Sequence, residues 1–233
     1  MTLGLSPAEW AIVGLSLKVS LVAVLATLPV AYALAWLLAR RQFPGRLLLD
    51  ALVHLPLVVP PVVTGWLLLI VFGRNGPIGA WLEQVLGVTL VFRWTGAALA
   101  AAVMALPLMV RAMRLSIEAV DRRLVGAARS LGASPWRAFA TITLPLSLPG
   151  ILAGAMLGFA RSLGEFGATI TFASNIVGET RTLPLAIYSG LQTPGAEGAV
   201  TRLAVISILL SLVALLVSEV LVRRSAGGRA HVL

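Results

Sequence analysis

The sequence predicts an all-α protein embedded in a lipid bilayer, with five to six transmembrane helices. Three observations predict this. Hydrophobic residues make up 59% of the 233 positions and charged residues only 12%, against about 25% charged in an ordinary soluble domain. Apolar runs recur along the whole chain at about 20 residues each, the length at which a helix crosses hydrocarbon. The basic residues gather in a few short segments between those runs, as they do on one side of a membrane protein.

The composition also excludes chemistry. There is no cysteine, so there is no disulfide framework, thiolate metal site or cysteine nucleophile. The two histidines, His54 and His231, lie too far apart in sequence to propose a metal site, and none is expected. The net charge of +9 comes from 17 arginines, one lysine and nine acids. In a soluble protein it would point to nucleic acid. Here the arginines sit at the ends of apolar runs, so the expected partner is the bilayer and not nucleic acid. The start, "MTLGLSPAEWAIVGLSLKVS", has no positive n-region and no small-residue cleavage site. No cleaved signal peptide is expected, and the first span serves as its own targeting signal.

The first span is expected over about 11–39, bent at Pro29, with Lys18 near one end and able to snorkel. A Pro-Gly turn in "RRQFPGR" leads to a second span over about 48–72. Its Pro56, Pro60 and Pro61 remove several backbone donors. Such backbone is tolerated at membrane depth only against protein or a wet cavity, so this is either a kinked helix lining a pathway or a packing kink. His54 reads as a satisfied polar residue near a helix end. Residues 73–93 form a loop with a short amphipathic helix, in which Trp81, like the following Trp94, suits the interface. A third span covers about 94–113, and a fourth about 147–163 with a continuation or re-entry to about 174. Residues 175–198 are read as a loop. A fifth span covers about 199–222, and the tail "RRSAGGRAHVL" ends the chain. A sixth span would need residues 163–174 or 77–91 to insert. The whole of 1–233 is one membrane domain, without internal repeats.

The loop at 40–46, the segment 111–143 and the tail together hold twelve of the 18 basic residues. The other side holds only Arg74, Arg93, Arg181 and Arg202. The excess of positive charge predicts a cytoplasmic C-terminus and an N-terminus outside.

The segment at about 116–145 is the most informative. Ser116 to Leu131 reads as a helix with Leu124, Ala127, Ala128 and Leu131 on one face. Gly132 ends it as a C′ glycine. Ser134 caps a second helix with Pro135 at its first position. That helix is expected to end near Thr143, where Pro145 and Pro149 re-aim the chain into the bilayer. About 30 residues with ordered turns is long for a simple connector, and Gly126, Ala127 and Ala128 permit close approach of another surface.

This stretch resembles the cytoplasmic signature loop of permease subunits of ABC importers: Glu-Ala-Ala, three residues, Gly, nine residues, Ile, one residue, Leu-Pro. Here Ala127, Ala128, Gly132, Ile142, Leu144 and Pro145 keep every spacing, and Gly126 stands where the pattern has Glu. The substitution removes one carboxylate and leaves the shape. The resemblance implies a type I importer permease fold and a loop that docks into a groove on an ATP-hydrolysing subunit. It implies a homodimer with two such subunits on the cytoplasmic side and an extracytoplasmic binding protein. ATP and Mg would belong to the partner ATPase, and no cofactor to this chain. The chain has no Gly-rich loop followed by Lys-Ser or Lys-Thr, so it is not itself the ATPase.

Along nearly its whole length the chain is similar to the molybdate branch of these permeases. The stretches are "HLPLVVPPVVTGWLLLI", "GRNGPIG", "AVMALPLMVRAMRL", "TLPLSLPGILAG", "FARSLGEFGATITFASNIVGETRTLP" and "LQTPG". "SLGEFGA" is shared with sulfate permeases, whereas "GETRTLP" together with "LQTPG" favours molybdate or tungstate. An oxyanion crossing hydrocarbon needs donors or water. Pro60 and Pro61, with Arg161, Ser162, Glu165, Thr169 and Thr171 of the most polar membrane-depth stretch, are the candidates for path or gate. Arg161 and Glu165, four residues apart, read as a pair that clamps the gate. Asn175, Glu179 and Arg181 are candidates for docking the binding protein. A sulfate importer is the nearest alternative. A secondary transporter is a second, disfavoured by the missing repeat and by Glu165 being the single clear intramembrane acid.

Overall fold

The structure, a computed structural model, describes residues 4–227, with side chains to Val220 apart from Ser218. Arg229 and His231 of the basic tail lie outside the described residues. All regular structure among the described residues is helical. Helix α1 (Pro7–Arg40) opens on a capping box in which Ser6 Oγ accepts from Glu9 N and Glu9 Oε2 accepts from Ser6 N, with Pro7 in the first turn. That Ser-Pro-Ala-Glu signal starts the helix four residues earlier than the apolar run alone predicts. Lys18 is exposed, and its Nζ lies 3.7 Å over the Trp94 ring, a cation–π contact within the protein.

The second apolar run is two helices, α2 (Arg46–Val58) and α3 (Pro61–Phe72), set at 118° to each other. Val59 and Pro60 between them are extended, with ψ of 137° and 135°. A residue before proline is pushed out of the helical region, and two successive prolines impose that twice. Each half rises only about 18–20 Å, short of the ~30 Å hydrocarbon core. The run is a sharply bent pair, a broken span or a re-entrant loop, and a larger departure than a kink. Helix α4 (Pro77–Leu86) is the short helix expected in the following loop. Helix α5 (Trp94–Glu118) is the third span.

The loop helices are α6 (Arg122–Ser130) and α7 (Pro135–Ala138). Helix α7 runs through a π-helical turn at Phe139–Thr143 into α8 (Leu144–Leu163). Two expectations change here. The helix before Gly132 is interrupted at Ala119–Asp121, where Asp121 caps a new helix by accepting from Arg123 N. Neither Pro145 nor Pro149 re-aims the chain: Pro149 lies inside α8, and Pro135–Leu163 is one continuous 29-residue candidate span. Just before Pro145 the helix widens into the π turn, with Leu144 N donating to Phe139 O, a local change of register next to a residue that has no N–H to donate.

Helix α9 (Gly167–Phe172) and helix α10 (Leu183–Leu191) follow, the latter in a stretch read as loop from its glycines and prolines. Helix α11 (Glu197–Gly227) is the last. Among the described residues four helices are long and apolar enough to cross a membrane, or five if the bent pair is one span. Neither candidate for a sixth is long enough, because α9 has six residues and α4 ten.

Helix α5 is the centre, packed between α1 and α8. Its Ala97, Ala101 and Ala105 are buried to within 1% and keep the helices close. Across from it, α8 presents Gly150, Gly154 and Gly158 at intervals of four. A Cβ at Gly150 would stand 2.2 Å from Ser116 Cβ, and one at Gly158 2.6 Å from Met109 Sδ. This is small-residue packing of the membrane type, legible in "GILAGAMLG" and not read there. Leu47 and Val58 are 84% and 83% exposed, and α11 turns much of its apolar surface outward. Such surface is normal against lipid and unsustainable in water.

Candidate coupling loop and translocation path

The loop hangs from the end of α5. Arg40, at the end of α1, donates from Nη2 to Ile117 O at 2.9 Å and Val120 O at 3.1 Å. It adds a donor at the end of α5, where Ile117 O also accepts from Val120 N at 3.2 Å. After α6, Gly132 takes φ +90°. Ala133 N donates to Ala128 O and Gly132 N to Arg129 O, the paired bonds of a Schellman ending. Ser134 Oγ then accepts from Arg137 N at 3.2 Å, with Pro135 in the first turn. The Gly-Ala-Ser-Pro stretch thus makes the sharp turn its residues predict.

No residue of α6 is buried. Leu131 is 89% exposed and Trp136 80%, large apolar side chains in a segment otherwise rich in arginine. A Cβ at Gly126 would meet nothing within 4 Å. The helix–turn–helix leaves open the face that carries Leu124, Ala127 and Leu131, and Ala128 is half-buried beside them. Ile142 is half-buried, and Leu144 and Pro145 sit in the first turn of α8.

The loop is joined to the spans through Phe139. Its ring meets Tyr32 at 6.1 Å, Trp36 at 6.3 Å and Trp136 at 6.0 Å, each edge to face. Just beyond, Tyr32 Oη and Ser147 Oγ are 3.0 Å apart. One aromatic residue therefore links α1, α7 and the start of α8.

The residues proposed for the path meet in a second region, where α3 packs on α9. Pro60 precedes α3 and Pro61 begins it. A Cβ at Gly167 would lie 2.7 Å from Pro61 Cβ, and one at Gly65 2.8 Å from Thr171 Cβ. Glu165 is 2% exposed. Its Oε1 accepts from Ala168 N at 2.9 Å. Arg161 Nη1 stands 2.6 Å from Glu165 Oε2, a contact of charges without the alignment of a hydrogen bond. Thr171 Oγ1 donates to Gly167 O. Thr169 is buried, and Ser162 Oγ is buried without a hydrogen-bond partner. This region is a tight knot with one paired guanidinium, in which the threonines face protein.

Asn175 and Arg181 are brought together: Arg181 Nε donates to Asn175 Oδ1 at 3.0 Å, and Asn175 Nδ2 to Ser189 Oγ at 2.5 Å. Glu179 Oε1 accepts from Trp94 N at 3.3 Å. Asn175 thus ties the 174–182 loop to α10 and Glu179 ties it to α5, while Arg181 braces Asn175 within the loop.

Two charged clusters escaped sequence reasoning. Glu9 is 4% exposed and receives Arg202 through Nε at 2.9 Å and Nη2 at 2.8 Å, pinning α11 to α1. Arg114 bonds Asp50 and Glu118 at 2.9 Å each, and His54 Nδ1 lies 2.8 Å from Asp50 O. The second cluster pins α2 to α5. Arg202–Glu9 and Arg114–Asp50 are 193 and 64 positions apart, beyond any local pattern, whereas Arg114–Glu118 and His54–Asp50 are i,i+4 pairs that the sequence could have shown. No group of three His, Cys, Asp or Glu residues poised for a metal occurs among the described residues.

The described residues form a helical bundle with a bent helix pair at its side and one exposed helical loop between two candidate spans. Residues 28–227 match the family described as binding-protein-dependent transport system inner membrane component, and the chain belongs to that family. It is 60% identical over 227 residues to the molybdenum transport system permease protein ModB of Escherichia coli K12, covering 97% of this chain and 99% of that one. It is 38% identical over 199 residues to the sulfate transport system permease protein CysW of Synechocystis, covering 84% and 70%. The fold superposes on a crystal structure of a bacterial alginate ABC transporter with a TM-score of 0.73 at 19% identity, over 94% of this chain and 80% of that one. That last likeness is one of fold alone.

Proposed function

We infer that the chain is the membrane subunit of an ATP-driven importer of molybdate, and of tungstate, acting as a homodimer. The observation that carries the reading is the 60% identity over 97% of the chain to a molybdenum permease. The more distant sulfate relative, at 38%, makes sulfate the second reading. All of 1–233 acts as one domain. The arginine-rich loops and tail lie in the cytoplasm and the N-terminus outside, by the excess of basic residues at one end.

Two ATPase subunits dock on the 116–145 loop, and ATP and Mg belong to them. The support is the open face of α6, with exposed Leu131 and Trp136 set on a rigid Schellman turn. Gly126, Ala127 and Ala128 let the partner approach closely. Movement of the loop passes through Phe139 to α1 and directly along Pro135–Leu163 to the path. A binding protein delivers the dianion on the other side, near Asn175, Glu179 and Arg181. Closure of the ATPases on ATP turns the spans outward, and hydrolysis resets them. Such switching needs two packings close in free energy.

The path itself does not hold the ion tightly. Arg161 is neutralised by Glu165, so the pair clamps α8 against α9 and offers no free cation. A tight oxyanion site at this depth would slow release, and selection belongs to the binding protein. Pro60, Pro61, Ser162, Thr169 and Thr171 shape the gate around that clamp.

The test is uptake into liposomes holding the chain with its ATPase and the binding protein loaded with molybdate, tungstate or sulfate. Uptake of the first two with sulfate ignored is expected. Uptake of sulfate moves the chain to the sulfate branch, and uptake without ATP removes the ABC mechanism.

A further inference from the structure

Two cavities at the arginine-rich end of the bundle share walls. One, of about 470 Å³, lies between the end of α1 and α6, with Arg40 and Arg41 on one side and Arg122 and Arg129 on the other. The second, of about 620 Å³, follows α1 beneath α7 and is lined by Pro29, Tyr32, Trp136 and other apolar groups. Trp36, Arg41, Pro135 and Phe139 line both. They form one groove with a cationic head and an aromatic tail.

Among the described residues no carboxylate lines either cavity. Among the described residues, none of the four arginines is in an ion pair. Arg40 is held by carbonyls, and Arg41 lies over the Trp36 ring at 5.7 Å. Four guanidiniums around one concavity repel one another, and an anion between them relieves the repulsion. The planar fork of arginine suits phosphate in particular.

The depth of the groove decides what carries the phosphate. From Arg41 back to Pro29 is twelve residues along α1, about 18 Å. With the arginines in the headgroup layer, the Tyr32–Pro29 end of the groove reaches into the ~30 Å hydrocarbon core. A soluble subunit does not enter hydrocarbon, whereas an acyl chain lies there. Trp36, which lines both parts, matches the headgroup boundary, and basic pockets between spans at that level bind anionic lipids.

We propose that the groove between α1, α6 and α7 holds an anionic phospholipid, its phosphate among Arg40, Arg41, Arg122 and Arg129 and one acyl chain against Tyr32, Trp36 and Phe139. The lipid braces the loop against α1 at the aromatic hub. The site stands whichever oxyanion is carried.

The test uses the full chain in phosphatidylcholine nanodiscs that contain, in equal amount, either phosphatidylglycerol or phosphatidylcholine with brominated acyl chains. Tryptophan fluorescence is read. The brominated anionic lipid is expected to quench a fraction that the brominated zwitterionic lipid does not. That excess is lost in Trp36→Phe/Trp136→Phe and in Arg41→Gln/Arg129→Gln. It is lost also in Gly126→Glu, which sets a carboxylate beside the arginines at an open position. Each variant is first matched to the parent in thermal unfolding, so that a lost excess reports the site. Inorganic phosphate leaves the excess intact. Equal quenching by the two lipids overturns the proposal. Abolition by phosphate reassigns the groove to a free anion and overturns it too. Loss of the excess on adding the ATPase subunit gives the arginines to that subunit, with the same consequence.

Discussion

Phe139 and Trp36 meet edge to face, their ring centroids 6.3 Å apart and their planes at 89°. That contact joins the exposed loop to the first span. Phe139 also begins the π turn that leads into α8, so one ring touches both routes by which a push on the loop reaches the membrane.

Phe139→Ala removes three aromatic contacts, each worth about 0.5–1.5 kcal/mol beyond area burial. The expected outcome is an inserted permease that still assembles with its ATPase but moves less substrate per ATP hydrolysed. Phe139→Trp, which keeps an aromatic partner, should lose less. Uptake and phosphate release measured in the same liposomes check this. An unchanged coupling ratio in the alanine variant would show that force takes another route.

Gly150→Val drives a side chain into Ser116, where even a Cβ would sit 2.2 Å away. Overpacking of this kind costs about 1–3 kcal/mol, and melting in detergent should fall accordingly. Gly126→Ala adds a Cβ to open space, and a helical Gly→Ala change gains about 0.5–1 kcal/mol of local helix stability. Its melting temperature should hold or rise.

Gly132 holds φ +90° with the Schellman bonds around it. A left-handed residue with a side chain costs about 1–2 kcal/mol. Gly132→Val should leave the spans folded, loosen the loop and weaken ATPase assembly, read as faster proteolysis at the turn and less ATPase retained on co-purification. Gly132→Asn, better tolerated in that region, should fall between. Normal assembly in the valine variant would remove the loop's docking role.

Glu165→Ala leaves Arg161 without its partner. Breaking a buried pair costs about 3–5 kcal/mol. A double change to Arg161→Met/Glu165→Leu should be less damaging to thermal stability than Glu165→Ala alone. If the double variant also transports, the pair is a clamp and not a substrate site.

Ser16 Oγ accepts from Leu183 N at 2.7 Å and donates to Ile12 O at 2.9 Å. Ser16→Ala strands a buried N–H at the start of α10, at a cost of about 1–3 kcal/mol. Amide exchange at Leu183 should rise while exchange within α5 is unchanged.

By itself the sequence determined the solvent, the spans and the loop. Apolar run length and arginine placement reflect the chain's own transfer free energies, and Gly132, Ser134 and Pro135 act on backbone within a few residues of themselves. These are local quantities and are legible in order along the chain. The tertiary structure alone decided that Pro60 and Pro61 fold the second run back by 118°, because the bend angle depends on α9 packing at Gly65. It decided that α7 continues unbroken into α8, because a π turn took up the proline. It decided also which charges meet. Glu9 with Arg202 and Asp50 with Arg114 are pairings between distant segments, set by which helix faces the packing of alanine and glycine brings together.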